Sequence, residues 1–299
     1  MTEFKLKRGM NLDHHVAEPG KYLAQGKYFK AIKAAGFDHV RLPFEFSLNE
    51  AGLYPCDEYY QRIKATVQMA LNEGLSAMVD VHPFQKMHCE PHAMKPHFYR
   101  MWNELADALK DMDERVIFEI FNEPDGNFNF EVLNEVQNEA ISIIRKTNPT
   151  RLIAAASAHC NTFENLCHLV LPEDDENIFV TVHEYTPMKF THQGADWMQG
   201  DWPTGIRWGS QADKDLLKER FNMAAEWGKE HNRRLHLGEF GAIKMGNLED
   251  RIAWTRHVIR LCEERNMAWC YWELGYVYAA YDLETDEWDK GFLEIFQNP

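Results

Sequence analysis

The chain has 299 residues, of which 45% are hydrophobic and 26% charged, and its formal net charge is -15. That length suits one large α/β barrel or two smaller domains, and it buries a core without covalent staples. The acidic balance and the lack of a basic run exclude nucleic acid and an anionic membrane surface as partners, and they favour neutral substrates.

Along the chain, short apolar or β-branched runs alternate with longer amphipathic segments. The first strand is expected at Leu6–Met10, followed by a helix at Lys27–Ala35 that Gly36 caps. A strand at His39–Leu42 precedes a helix at Glu58–Glu73, with Gly74 as its cap. The strand Ser76–Val81 leads to a helix at Pro96–Asp111, with Pro96 in its first turn. Next come a strand at Val116–Phe121 and a helix at Phe130–Lys146, then a strand at Leu152–Ala156 and a short helix near Phe163–Val170. The strand Ile178–His183 runs into a long loop, Glu184 to Ser210, before a helix at Gln211–His231. The strands Leu235–Leu237 and Ala268–Tyr271, the helix Leu248–Arg265 and a last helix near the C-terminus complete the series.

Alternating βα units imply parallel strands, and eight of them in this length imply a closed (β/α)8 TIM barrel, read as a single domain over residues 1–299. The alternative is an open doubly wound sheet. That fold calls for a GxGxxG turn after the first strand, which GMNLDHHVAEPG lacks, so no dinucleotide site is supported. The six cysteines, Cys56, Cys89, Cys160, Cys167, Cys262 and Cys270, form no CxxC pair, which makes a reducing compartment the simpler reading. The start, MTEFKLKRGMNL, lacks the apolar region and cleavage site of a leader. A cytoplasmic chain and a secreted one whose leader has been removed both fit.

In a parallel barrel all strands deliver their C-terminal ends to one face. Read in order, those ends carry Arg41, His82, Asn122 with Glu123, His183 with Tyr185, Glu239 and Trp272. Glu123 ends IFEIFNEP and Glu239 lies in LHLGEFG. Glycosidic cleavage needs two carboxyl groups facing across one bond, which these two could supply. Pro124 biases Glu123 towards an extended backbone, and Gly238 and Gly241 leave room beside Glu239 for a ligand. Each glutamate also has a plainer reading, a surface residue at a strand end for Glu123 and a structural ion pair for Glu239.

Glu119 and Asp80 sit deeper in their strands and read as polar packing or support for the site. Arg41 could hold a catalytic carboxylate ionised, or pair structurally with Asp80. His82 and His183 could bond sugar hydroxyls or orient a glutamate. Tyr185 shares a face with His183 and could donate to the nucleophile. Trp272 could be a stacking floor for a pyranose ring or a core residue. Trp197, Trp202 and Trp208 are candidates for outer sugar platforms, or pack the long loop down. A metal site is weighed as well, since His82, His88, His92 and His97 gather near Cys89 and Glu90, and His14 and His15 are adjacent. No HxH strand or HExxH helix accompanies them, so no metal is expected.

The ordered set RGMNL, GFDHVRLPF, DVHPF, FNEP, VHEYTP, GEFG and YWELG resembles glycoside hydrolase family 5 of the large cellulase clan. FTHQGADW and YDLETDEW add a likeness to intracellular-type, rumen and clostridial endoglucanases. The resemblance implies a retaining endo-β-1,4-glucanase with Glu123 as acid/base and Glu239 as nucleophile, their carboxyls about 5–5.5 Å apart. It also implies that Asn122 bonds the 2-hydroxyl, that His82, His183 and Tyr185 bind the ring or position Glu239, and that Trp272 stacks beneath it. No cofactor is implied; the partner is a β-linked polysaccharide or oligosaccharide, and a monomer is expected. A β-mannanase or xyloglucanase on the same scaffold is the alternative, with a non-catalytic carbohydrate-binding barrel behind it. Some relatives carry a subdomain after the sixth strand where this chain has a Trp-rich loop, which leaves the length of the cleft open.

Overall fold

The computed structural model describes residues 4–12, 26–46, 57–82 and 85–299. His14, His15 and Cys56 lie outside the described residues. Eight parallel strands close in sequence order: β1 (Arg8–Asn11), β2 (His39–Phe44), β3 (Ser76–Val81), β4 (Val116–Glu119), β5 (Ile153–Ala156), β6 (Ile178–His183), β7 (Leu235–Glu239) and β8 (Ala268–Tyr271). The barrel closes where Arg8 to Met10 of β1 pair with Trp269 to Tyr271 of β8.

Alternation sorts each strand into two faces. Val40, Leu42, Val79, Val81, Phe118, Ile153, Val180, Val182, Leu237, Trp269 and Tyr271 join the large core between strands and helices. The helices answer with apolar stripes, such as Tyr28, Phe29 and Ile32 on Gly26–Ala34, and Trp254 and Val258 on Leu248–Glu264. The inward face is layered. Leu6, Met78, Ile117, Leu152, Ala154, Phe179 and Ala268 make an apolar plug. Beyond it the interior turns polar, with His39 and His236 3.0 Å apart and then Asn11, Arg41, Asp80 and Glu119, all fully buried.

Gly36 and Gly74 adopt positive φ, +99° and +74°, as helix caps do. Other expectations are corrected. The wall helix that follows β3 begins at Pro91, which takes the first position, so Pro96 lies inside it. β4 stops at Glu119 instead of running to Phe121. Glu123 is not extended but left-handed, with φ +49°. β7 continues past Leu237 to Glu239 through a bulge that pairs Val182 with Leu237 and His183 with Glu239.

The bulge matters for the site. Strict alternation would send Glu239 to the same outward face as Leu237. One extra residue, Gly238, reverses the face and turns the carboxylate inward. A side chain at 238 would strike Thr181 Oγ1 and the His183 ring, and one at 241 would strike the Trp272 carbonyl oxygen. Both glycines therefore make room for protein neighbours and not, as the sequence suggests, for a ligand.

The loop after β6 holds a short helix, Met188–Thr191, and is pinned from within by Gln193. Its buried amide accepts from Gly205 and Ile206 N–H and donates to Phe190 and Ile206 carbonyls. Among the described residues no helix is long and apolar enough to cross a membrane.

Candidate active site

Arg41 is the hub, fully buried on β2. Its guanidinium grips Glu119 with two bonds of 2.6 and 2.9 Å, reaches Glu239 Oε1 at 2.6 Å and lies 3.0 Å from Asp80 Oδ2. It also donates to Asn11 and Asn122 side-chain oxygens, at 3.1 and 2.8 Å. Both sequence readings of Arg41 therefore describe one side chain, which braces Asp80 and touches Glu239. Asn11 was not among the expected site residues. Its amide donates to the carbonyls of Gly238, Cys270 and Tyr271, tying β1 to β7 and β8 below the site. The rule that picked out the other strand ends, applied to β1, finds it.

Glu239 accepts a second bond at its other oxygen, from the Tyr185 hydroxyl at 2.9 Å. Burial and the adjacent Glu239 charge hold Tyr185 well above its ordinary pKa, so it remains a neutral donor. Glu123 Oε1 lies 2.8 Å from His183 Nδ1, and the same nitrogen is 3.6 Å from Glu239 Oε2. Burial pushes His183 down to about 4 and Glu123 above the usual carboxylate range, the latter against the pull of His82 and Arg41. At neutral pH the ring is uncharged, and Glu123 holds a proton more readily than a free glutamate.

His82 is the reverse case. Burial opposes its charge, but Asp80, 2.9 Å from Nδ1, overrides it and lifts the ring to about 9. The imidazolium lies parallel to Trp272, with centroids 5.8 Å apart and planes 10° from parallel. Trp272 is half-buried and, like Tyr185, Met198 and Val277, packs against a small buried cluster of Ala195, Ile243 and Tyr278.

The loop tryptophans separate. Trp208 is buried against Phe190 and His257 in the main core, so it packs the loop down and is no platform. Trp202 is half-buried, donates to the Gln199 carbonyl and lies under Lys189 Nζ at 4.0 Å. Trp197 is 52% exposed. A further residue that no sequence pattern marks is Asn161, whose amide nitrogen is 3.3 Å from His183 Nε2.

Among the described residues, one group of three brings possible metal-ligand atoms within 4.8 Å of one another: Glu123, His183 and Glu239. The histidines weighed from sequence form no such group there. The 4.8 Å limit also bounds the gap between the two glutamates' nearest oxygens. A cavity of about 840 Å³ opens at the opposite end of the barrel, lined by Phe4, Trp227 and Arg233, and none of the site residues borders it.

Residues 5–277 match the family model described as cellulase (glycosyl hydrolase family 5). The chain belongs to this family. It is 27% identical to Endoglucanase H of Acetivibrio thermocellus over 99% of its own length, and spans 33% of that protein's. Its backbone superposes on Cel5A of Thermotoga maritima, solved with cellobiose, with a TM-score of 0.92, 35% identity and 97% of each chain covered. The same relative solved with mannotriose gives a TM-score of 0.92 at 34% identity, again over 97% of each chain. The family membership and the (β/α)8 fold thus agree with the architecture of the chain.

Proposed function

We propose that the chain is the catalytic domain of a retaining endo-β-1,4-glucanase that cleaves cellulose-type and mixed-linkage β-glucans, acting as a monomer and without a cofactor. The observation that carries the mechanism is the gap of at most 4.8 Å between carboxyl oxygens of Glu123 and Glu239. Retaining glycosidases place the two groups about 5–5.5 Å apart, whereas inverting ones leave about 6.5–9.5 Å for a water. The hydrogen bonds agree with the roles. Glu239 accepts from Arg41 and Tyr185, donors that orient its carboxyl group for attack, and Glu123 is held towards its protonated form.

In the first step Glu239 attacks the anomeric carbon as the bond to the leaving oxygen breaks and Glu123 gives that oxygen its proton. A glycosyl ester on Glu239 results. Glu123, now a carboxylate, takes a proton from water, whose oxygen attacks the anomeric carbon and frees Glu239. Asn122 bonds the 2-hydroxyl, His82 and His183 line the ring, and Trp272 stacks beneath it. Trp197 and Trp202 are the remaining candidates for outer platforms.

A second reading, cleavage of mannan, is favoured by the relative solved with mannotriose. Parallel hydrolysis of carboxymethylcellulose, barley β-glucan, mannan and xyloglucan, with products resolved by length, separates the two. Short glucan oligomers support the first reading, and activity on mannan or xyloglucan alone replaces the substrate while keeping the mechanism. Glu123→Gln and Glu239→Gln should each lose nearly all activity on these polymers. A near wild-type rate in either sinks the two-carboxylate assignment.

A further inference from the structure

His183 stands between the two glutamates, and the position of its single proton decides what they can do. A neutral imidazole has one N–H and one lone pair. Nδ1 lies 2.8 Å from Glu123 Oε1 and 3.6 Å from Glu239 Oε2, while among the described residues the hydrogen-bond partner of Nε2 is the Asn161 amide, at 3.3 Å. A lone pair at Nδ1 would point at two carboxyl groups, one of them already gripped by Arg41 and Tyr185. A proton there donates instead. Nε2 must then accept, and the Asn161 amide nitrogen is the donor it meets. Asn161 is fully buried, and its own oxygen accepts no hydrogen bond from the described residues, so the ring is what this amide serves.

The backbone places Asn161 for this task. His159, Cys160 and Asn161 are all left-handed, with φ of +50°, +58° and +56°. Asparagine tolerates that region better than most side chains. The turn is tied to the loop that carries Glu123, because Cys160 N–H donates to the Pro124 carbonyl at 3.1 Å. The amide, the ring and the glutamate are thus held as one unit.

We propose that Asn161 is a positioning residue for the acid step. Its donation to Nε2 fixes His183 as the Nδ1–H tautomer, whose bond occupies Glu123 Oε1 and leaves Oε2 to carry the proton to the leaving group. In the other tautomer Glu123 would donate its proton to Nδ1 and withhold it from the sugar. The proposal rests on the reading of Glu123 as acid/base.

Two measurements test it. Nitrogen-15 NMR of the wild-type protein should show His183 protonated at Nδ1, and a ring protonated at Nε2 overturns the proposal whatever any variant does. Asn161→Gly removes the amide and suits a left-handed backbone. Its kcat/KM, which reports the glycosylation step, should fall about tenfold or more on a cello-oligosaccharide. On a dinitrophenyl β-cellobioside, whose leaving group needs no acid, it should fall less than about twofold. Equal losses on both substrates make Asn161 merely structural and overturn the proposal. Glu123→Gln is run beside it. If that variant also lacks the split between substrates, the acid reading of Glu123 has failed; if it shows the split and Asn161→Gly does not, only the role of Asn161 has.

Discussion

Replacing Arg41 with methionine removes the guanidinium and keeps most of the stem's volume. Three carboxylates then face one another with their shared cation gone: Asp80 and Glu119, with side chains 0% exposed, and Glu239, at 5%. Breaking a buried ion pair from one side costs about 3–5 kcal/mol, because the other charge is left without compensation. Against a total folding stability of about 5–15 kcal/mol, that is a large share. The sign with pH follows from the same charges. Burial already lifts Glu119 to about 7 against the pull of Arg41, and losing the guanidinium lifts it further. A carboxyl group so raised favours folding while it keeps its proton and costs stability once pH rises past its folded value. The deficit against wild type should therefore be largest above about pH 7 and shrink as pH falls below it. Urea unfolding at about pH 5 and about pH 8, followed by tryptophan fluorescence and circular dichroism, reads it directly. A deficit below about 1 kcal/mol at the higher pH, or an equal deficit at both, would refute the hub reasoning.

Tyr185→Phe deletes one charge-assisted donor to Glu239 and should lower kcat about 10- to 100-fold on β-glucan with the fold intact; an unchanged kcat removes Tyr185 from the machinery. His82 is raised from 6.5 to about 9, so its bond to Asp80 stabilises the fold fully below about pH 6.5, and that contribution disappears as pH rises through about 9. The melting-temperature gap between wild type and His82→Gln should close across that window, and a gap that widens contradicts the assigned charge. Since burial raises Glu123, activity should fall on the alkaline side as Glu123 loses its proton, in a limb above the usual carboxylate range; a limb inside that range contradicts the assignment. Trp208→Ala should cost about 3–5 kcal/mol of stability. Trp197→Ala should stay within about 0.5 kcal/mol and act, if anywhere, on KM for long glucans.

Much of the barrel is legible because its strands obey a simple alternation between a helix-facing apolar set and an inward set. Ser76–Val81, Ile178–His183 and Ala268–Tyr271 stand where the runs of apolar residues end. Most of the polar strand ends converge for the same reason, and contacts join Arg41 to Asn122 and Glu239, Glu239 to Tyr185, Glu123 to His183, and His82 to Trp272. What escapes sequence reading is local breaks in that rule. Glu239 points inward through a bulge at Gly238, although parity with Leu237 argues for the outward face. Glu123 reaches the cleft through a left-handed turn. Pro124 disfavours the right-handed helical region there, but nothing in the string selects the left hand over extension. Asn161 lies in a turn of three left-handed residues with no glycine to announce it. Trp208 looks like its loop neighbours and differs only in that Phe190 and His257 close over it.

The reach of Arg41 along the chain has a consequence for synthesis. Its partners lie 30 residues away at Asn11, 78 at Glu119 and 198 at Glu239. A chain leaving the ribosome N-terminus first exposes the arginine, Asp80 and Glu119 long before the strand bearing Glu239 emerges. Until that strand docks, the polar upper half of the barrel has no reason to leave water. The surroundings of the two glutamates are therefore among the last parts of the molecule to dry, and an unfinished chain holds Glu123 without Glu239 to face it.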